Sequence, residues 1–360
     1  MAGNSCQLTQ AGHDQPLHLI ANLGVFLRIA LCLDIYIDFQ KLYRGVIGWA
    51  YMKNDCRLRI PVICGPTCVG KTTVAIEAAS ALDAEIISAD SMQIYRYMDI
   101  GTAKPSLLEQ ARVSHHMIDI VDPDALFDAQ LYAEMGRKVI YELADAGIPV
   151  VVAGGTGLYI RALLHGLFQA GSGDPGLRMK LKAEASIHGT DSLYQQLCQC
   201  DPVSAAKIHP SDTFRIIRAL EVYAVTGQPI STWHNSHRES PPLFDVLKIG
   251  LSRPRELLYE RINRRVDIMI EDGLVDEVKS LIDRGYASGL KPFRSIGYRH
   301  ILDFLEGRLS WEDTLQTLKR DTRRYAKRQM TWFNADLQVE WMDADHTDEI
   351  VSTVKSFLVS

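Results

Sequence analysis

The run Gly65-Pro66-Thr67-Cys68-Val69-Gly70-Lys71-Thr72 narrows the folds open to this chain more than any other stretch. It reads G-x-x-x-x-G-K-T, the spacing of a loop that cradles phosphate. Gly65 and Gly70 let the backbone turn its amide hydrogens inward around a polyanion. Lys71 adds a point charge on the outer phosphate, and the Thr72 hydroxyl is a ligand for magnesium. A short apolar run, Ile60 to Cys64, precedes the loop, and helical spacing from Val74 to Leu82 follows it. Strand, loop and helix in that order aim a helix N-terminus at the anion. The chain is therefore expected to bind a phosphorylated ligand.

Apolar strands alternate with amphipathic helices from about residue 58 to 165, the pattern of a parallel α/β sheet covered on both faces. Strands are expected at Leu58 to Cys64, Glu85 to Ala89, Met117 to Ile120 and Pro149 to Ala153, with a helix from Asp128 to Ala146 closed by Gly147. From Gly166 the pattern changes. Residues 176–228 read as helices, one of them capped by Ser211 or Asp212 and stopped by Gly227 and Pro229, and a polar stretch from Ser231 to Pro242 follows. Val246 to Leu251 then reads as another core strand, followed by helices over 256–270, 274–284, 298–306 and 311–333. The organisation expected is an α/β core over 52–169 and 241–345, an all-helical insertion over 170–240, and a terminal tail over 346–360.

Composition sets bounds on function. An apolar fraction of 47% supports a packed core, and a net charge of -5 argues against indiscriminate nucleic-acid binding without excluding a local basic cleft. Seven cysteines without ladder-like spacing fit a reducing cytoplasm rather than a disulfide framework. Residues 17–39 are largely apolar, but Arg28 and Asp34 interrupt them, and no membrane span is expected. Met52 opens a short lead-in to the first strand, so residues 1–51 are read as a mis-called start or a dispensable extension.

Further polar constellations fall at strand ends, where open α/β sheets bind ligands. Asp90 follows the second strand, one strand along from the phosphate loop. It is placed to hold magnesium, to take a proton from a nucleophile, or merely to cap a helix. Gln93 and Tyr95 offer an amide and a ring that suit a nucleobase, although Tyr95 also suits the core. Gly154-Gly155-Thr156-Gly157 permits close backbone approach and supplies a hydroxyl. The adjacent His115 and His116 point in different directions and suit hydrogen bonding better than metal. Arginines and lysines gather in 253–265 and 319–328. With Arg215, Arg218, Phe214, Tyr325 and Trp332 they have the makings of a groove for nucleic-acid backbone with stacking platforms.

These residues resemble the tRNA dimethylallyltransferases, also called isopentenyl-tRNA transferases, in their bacterial form. The matching motifs are GPTCVGKT, SADSMQIYRYMDIGTAKP, HHMIDI, VVAGGTGLYIRALL, DPVSAAKIHPSDTFRIIRALEVY, SIGYRH and TRRYAKRQMTWF, in family order across roughly residues 58 to 335. The resemblance implies an α/β fold, a P-loop kinase-like parallel sheet flanked by helices with a small all-helical inserted domain. It implies transfer of the dimethylallyl unit of dimethylallyl diphosphate to the N6 amine of the adenosine just 3′ of the tRNA anticodon. Asp90 is then the general base, Thr156 lies near the reacting centre, and Arg265 clamps the departing diphosphate. Gly65, Pro66, Thr67, Cys68, Val69, Gly70, Lys71 and Thr72 hold that diphosphate, with Thr72 helping to place Mg2+. Asp90, Ser91, Met92, Gln93, Thr156, Arg178, Phe214, Arg215, Ile216, Ile217 and Arg218 match positions that contact tRNA, and the insertion corresponds to the arm that grips the anticodon stem-loop. The enzyme so implied is a cytoplasmic monomer.

Three other functions share part of this pattern. A free-adenylate isopentenyltransferase has the same loop and aspartate, but the FRIIR run and the basic terminal helix favour RNA. A nucleotide-switch protein lacks support because no N-K-x-D guanine-reading sequence is present. A small-molecule kinase needs a separate phosphate-acceptor site.

Overall fold

Six strands form one parallel sheet. In the computed structural model, which describes residues 57–167, 174–238 and 242–359, they are β1 (Arg59–Cys64), β2 (Glu85–Ala89), β3 (His115–His116), β4 (Val150–Gly154), β5 (Asp245–Ser252) and β6 (Val339–Asp343). The sheet order is β3-β2-β4-β1-β5-β6. Cys64 pairs in register with Gly154 on one side and Gly250 on the other, and Ala89 pairs with Gly154 from the far side of β4. Asp90 and the phosphate loop are thus not on neighbouring strands. β4 lies between them, so three adjacent carboxyl ends carry Asp90, the glycine run and the phosphate loop.

Helices pack on both faces: α1 (Lys71–Ser80), α2 (Leu107–Arg112), α3 (Ala129–Asp145) and α4 (Gly157–His165) come before the helical segment. That segment holds α5 (Pro175–His188), α6 (Thr190–Cys200), α7 (Pro202–Ala205), α8 (Thr213–Thr226) and α9 (Ile230–Arg238). After β5 come α10 (Arg255–Glu271), α11 (Leu274–Asp283), α12 (Tyr298–Leu305), α13 (Trp311–Asn334) and, after β6, α14 (Thr347–Val359). Strand side chains alternate between two apolar clusters, as pleating requires. Ile60, Val62, Val150, Val152 and Ile87 face one cluster; Ile63, Val151 and Ile86 face the other. The helical segment has an apolar cluster of its own, built on Leu193, Leu197, Ile216 and Leu220.

Local chemistry sets the helix ends. Asp128 Oδ1 accepts from the Gln130 and Leu131 N–H groups and starts α3. Asp212, not Ser211, caps α8 through the Arg215 N–H, and Gly227 at φ 70 stops it.

Two expectations need correction. The strand expected over 117–120 lies instead at His115–His116, because Met117 (φ 63) and Asp119 (φ 54) adopt left-handed backbone that no strand tolerates. Residues 346–360 are not a tail: Thr347–Val359 is α14, and its Ile350 and Val354 are fully buried beside Val74 and Ile63. The extension at 1–51, the Met52 lead-in and the loop over 169–173 lie outside the described residues. No described helix is long and apolar enough to cross a membrane.

Candidate active site

The phosphate loop leaves β1 with three residues at positive φ: Gly65 at 144°, Cys68 at 66° and Gly70 at 116°. These values curl the backbone so that successive amide hydrogens converge. A side chain at Gly65 is excluded, since a Cβ there would lie 2.9 Å from the Leu251 carbonyl oxygen. Arginines of the β5–α10 region brace the curl from outside. Arg253 Nε donates to the Val69 carbonyl at 2.8 Å, and Arg261 Nε donates to the Cys68 carbonyl at 3.0 Å. Lys71 Nζ donates to the Pro66 carbonyl at 2.7 Å. Val69 and Pro66 are buried, so these two contribute backbone rather than side chain.

Asp90 begins the turn after β2. Its Oδ1 accepts from the Met92 N–H at 2.8 Å and the Gln93 N–H at 3.3 Å. Residues 91–94 form a turn, not the helix a cap at Asp90 would start; one carboxylate oxygen is tied down there, and the other has no protein donor among the described residues. Burial raises the Asp90 pKa, against the pull of the Met92 N–H, the Lys71 charge and the Gln93 N–H. Burial also lowers Lys71 to about 8, with Asp90 opposing and Arg265 reinforcing that shift.

Asp90 and Lys71 line one cavity of about 320 Å³ together with Thr67, Cys68, Gly70, Thr72, Gln93, Gly154, Gly155, Arg265, Tyr325 and Gln329. Thr156 stands at its edge, its N–H on the Ala89 carbonyl and its Oγ1 accepting from the Ser91 N–H at 3.1 Å. The glycine run is shaped by its protein neighbours. A Cβ at Gly154 would sit 2.2 Å from the Ala89 oxygen, at Gly155 2.3 Å from Gln329 Nε2, and at Gly157 2.0 Å from Trp332 Nε1.

The structure commits other expected residues to partners within the protein. Gln93 spends its amide as a strut, accepting from the Ser88 hydroxyl and donating to the Thr102 and Ala103 carbonyls. Tyr95 is 2% exposed and belongs to the core, not to a nucleobase. Ile216 and Ile217 are buried inside the helical cluster, because their positions on α8 face its neighbours; no side-chain contact with a ligand is open to them. Arg178 and Arg218 both bond Glu221, which is fully buried and whose carboxyl is lowered because the two arginines outweigh the effect of burial. His116 meets Glu85 at 2.5 Å, and His115 Nδ1 meets the Val113 carbonyl at 2.8 Å.

Arg215 reaches a larger cleft of about 1130 Å³, between α4, α13 and β5, where it joins Arg161, Lys248, Lys327, Arg328 and Trp332. Lys248 there is paired with Asp336 at 2.7 Å. This cleft is the most cationic concavity among the described ones, whereas the base candidate and the phosphate loop meet in the smaller cavity. Phe214 beside Arg215 is 80% exposed.

Sequence reasoning missed the part played by Gln329, which bonds both the phosphate loop and the glycine loop, and by Tyr325, which faces Asp90 and Thr156. The available signal was spacing. Tyr325, Gln329 and Phe333 recur every four residues on a helix otherwise crowded with charge, which marks its inward stripe.

A family model described as IPP transferase matches residues 93–336. Over 310 residues the chain is 51% identical to a tRNA dimethylallyltransferase of Desulfosudis oleivorans, covering 85% of this chain and 99% of the relative. A tRNA dimethylallyltransferase of Geobacter metallireducens is 45% identical over 307 residues, with 85% and 99% covered. Among solved structures, the tRNA isopentenylpyrophosphate transferase of Bacillus halodurans is 40% identical, with a TM-score of 0.62 over 84% of this chain and 97% of its own. A eukaryotic dimethylallyltransferase acting on tRNA is 28% identical, with a TM-score of 0.73 over 84% and 80%.

Proposed function

The chain belongs to the IPP transferase family, and from that premise we propose that it moves the dimethylallyl group of dimethylallyl diphosphate onto tRNA. The acceptor is the N6 amine of the adenosine 3′-adjacent to the anticodon, and diphosphate is the second product. The observation that carries this reading is one cavity lined at once by a phosphate loop, a partly free carboxylate and a further cation, Arg265.

The chemistry needs each part. The adenine amine is a weak nucleophile because its lone pair is delocalised into the ring. As nitrogen attacks the allylic carbon, the carbon–oxygen bond to diphosphate breaks and its electron pair leaves with the diphosphate. The amine proton passes to the free oxygen of Asp90, a contribution of about 10²–10⁴-fold. A carboxylate lifted by burial is a stronger base for that task than a solvated one. The loop amides, Lys71 and Arg265 hold the departing anion, where fixed donors in a sheltered site act most strongly. The Thr72 hydroxyl opens α1 and lines the cavity, an oxygen donor of the kind magnesium takes alongside phosphate oxygens and water. When bound, Mg2+ would supply charge neutralisation to the diphosphate.

The adenosine must leave its stack to reach Asp90. The cationic cleft with Arg161, Arg215, Lys327 and Arg328, and the exposed Phe214, are suited to hold the anticodon stem-loop meanwhile. The reading extends to a monomer working in the cytoplasm: one chain holds cradle, base and cleft, and Cys64, Cys68, Cys198 and Cys200 are free thiols.

The test is nucleoside mass analysis of unmodified tRNA, and separately of AMP, after incubation with the protein and dimethylallyl diphosphate. One five-carbon unit on the adenosine beside the anticodon is expected. Prenylation of AMP but not of tRNA would replace this reading with the free-adenylate one.

A further inference from the structure

The amide of Gln329 is committed in two directions. Its Oε1 accepts from the Thr67 N–H at 2.8 Å, and its Nε2 donates to the Gly155 carbonyl at 2.8 Å. A planar group only 6% exposed thus ties the loop after β1 to the loop after β4. An amide alone among side chains of this length offers an acceptor and a donor side by side. A carboxylate would leave the Gly155 carbonyl without a donor, and an amine would leave the Thr67 N–H without an acceptor. Gly155 is shaped to the bridge, because a Cβ there would lie 2.3 Å from Nε2. One turn back on α13, Tyr325 faces Thr156, whose Oγ1 accepts from the N–H of Ser91, the residue after Asp90. Hydrogen bonds and covalent links run unbroken from Thr67 through Gln329, Gly155, Thr156 and Ser91 to Asp90.

We propose that Gln329 is a positioning residue that couples the two halves of the site, so that an anion seated in the phosphate loop tightens the hold on the acceptor adenosine. The inference rests on the transferase reading above. The Thr67 N–H is already taken by Gln329, so an anion engages the remaining donors of the loop and fixes the loop as a unit. The buried amide passes that position to Gly155 and Thr156, which line and edge the pocket where the adenine meets Asp90. Coupling of this kind is reciprocal: the acceptor must tighten anion binding by the same factor. Contiguity alone does not establish it, so the measurement has to be energetic.

A fluorescent anticodon stem-loop is titrated into the full chain with and without saturating inorganic pyrophosphate, for the parent, Gln329→Met and Gly155→Ala. Methionine keeps the length of glutamine and removes both hydrogen bonds, while Gly155→Ala pushes the amide aside from the opposite loop. Pyrophosphate is expected to tighten stem-loop binding about tenfold in the parent. That ratio should fall to within about twofold of unity in both variants, whatever each does to stem-loop affinity without pyrophosphate. A packing role alone would lower the melting temperature and leave the ratio intact. A parent ratio of one overturns the coupling, as does a parent-like ratio in whichever variant folds. Either result leaves the transferase reading in place as long as the parent prenylates tRNA; a parent that does not prenylate tRNA removes both.

Discussion

Asp90 and Lys71 are shifted in opposite directions by the same burial, Asp90 upward and Lys71 down to about 8. Catalysis as proposed needs Asp90 ionised and Lys71 protonated. Activity is therefore lost as pH falls through the raised carboxylate value and again as pH rises past the depressed amine value. For kcat/KM, which reports the free enzyme, we expect a bell with its alkaline limb near pH 8 and its acid limb above the ordinary carboxylate range. In kcat the alkaline limb should move up, because bound diphosphate favours the charged amine. A kcat/KM profile flat past pH 9 would remove Lys71 from the anion site. Lys71→Ala should lower kcat/KM for dimethylallyl diphosphate by about 10²–10³, as loss of one preorganised donor does elsewhere. Both residues are visible in the bare sequence because motif spacing and strand-end position betray them. Tyr95 and Gln93 have chemistry that suits a base equally well on paper, yet one is core and the other a strut. Which way a side chain points depends on packing that no local pattern contains.

At the level of elements, α13 is the spine of the site, setting Tyr325, Gln329 and Trp332 against the loops that end β1 and β4. Gly157→Ala should be costly, because the added Cβ would lie 2.0 Å from the Trp332 ring. We expect a loss of about 1–3 kcal/mol in urea unfolding, the usual range for overpacking, and an unchanged midpoint would mean the ring moves freely. Arg215→Ala tests the cleft. It should weaken stem-loop binding and reduce the slope of log affinity against log salt by about one. A parent-like slope would take Arg215 off the RNA backbone. Most elements are legible because their ends carry chemistry, such as Asp128 and Asp212 at starts and Gly227 at a stop. β3 is misplaced by the apolar look of Met117 to Ile120, whose left-handed residues only the three-dimensional turn requires. β6 escapes notice because Val339 to Asp343 mixes apolar and acidic residues, as an edge strand does.

The whole molecule depends on its last helix. α14 buries Ile350 and Val354 against the cluster behind α1, at roughly 1.5–3 kcal/mol for each such side chain. Ending the chain at His346 should lower the melting temperature by several degrees or more and weaken the phosphate loop's helix with it. A truncated chain melting with the full one would show α14 to be dispensable. The sheet order explains the remaining difference between sequence and structure. Order along the chain puts the Asp90 strand next to the phosphate-loop strand, whereas insertion of β4 between them places Gly154 to Thr156 in the gap between Asp90 and the phosphate loop. The most direct measurement is single-turnover prenylation of tRNA by Asp90→Asn, with stem-loop binding measured alongside. A rate lower by about 10²–10⁴ with binding preserved is expected; a near-parental rate would mean that the amine's proton goes elsewhere.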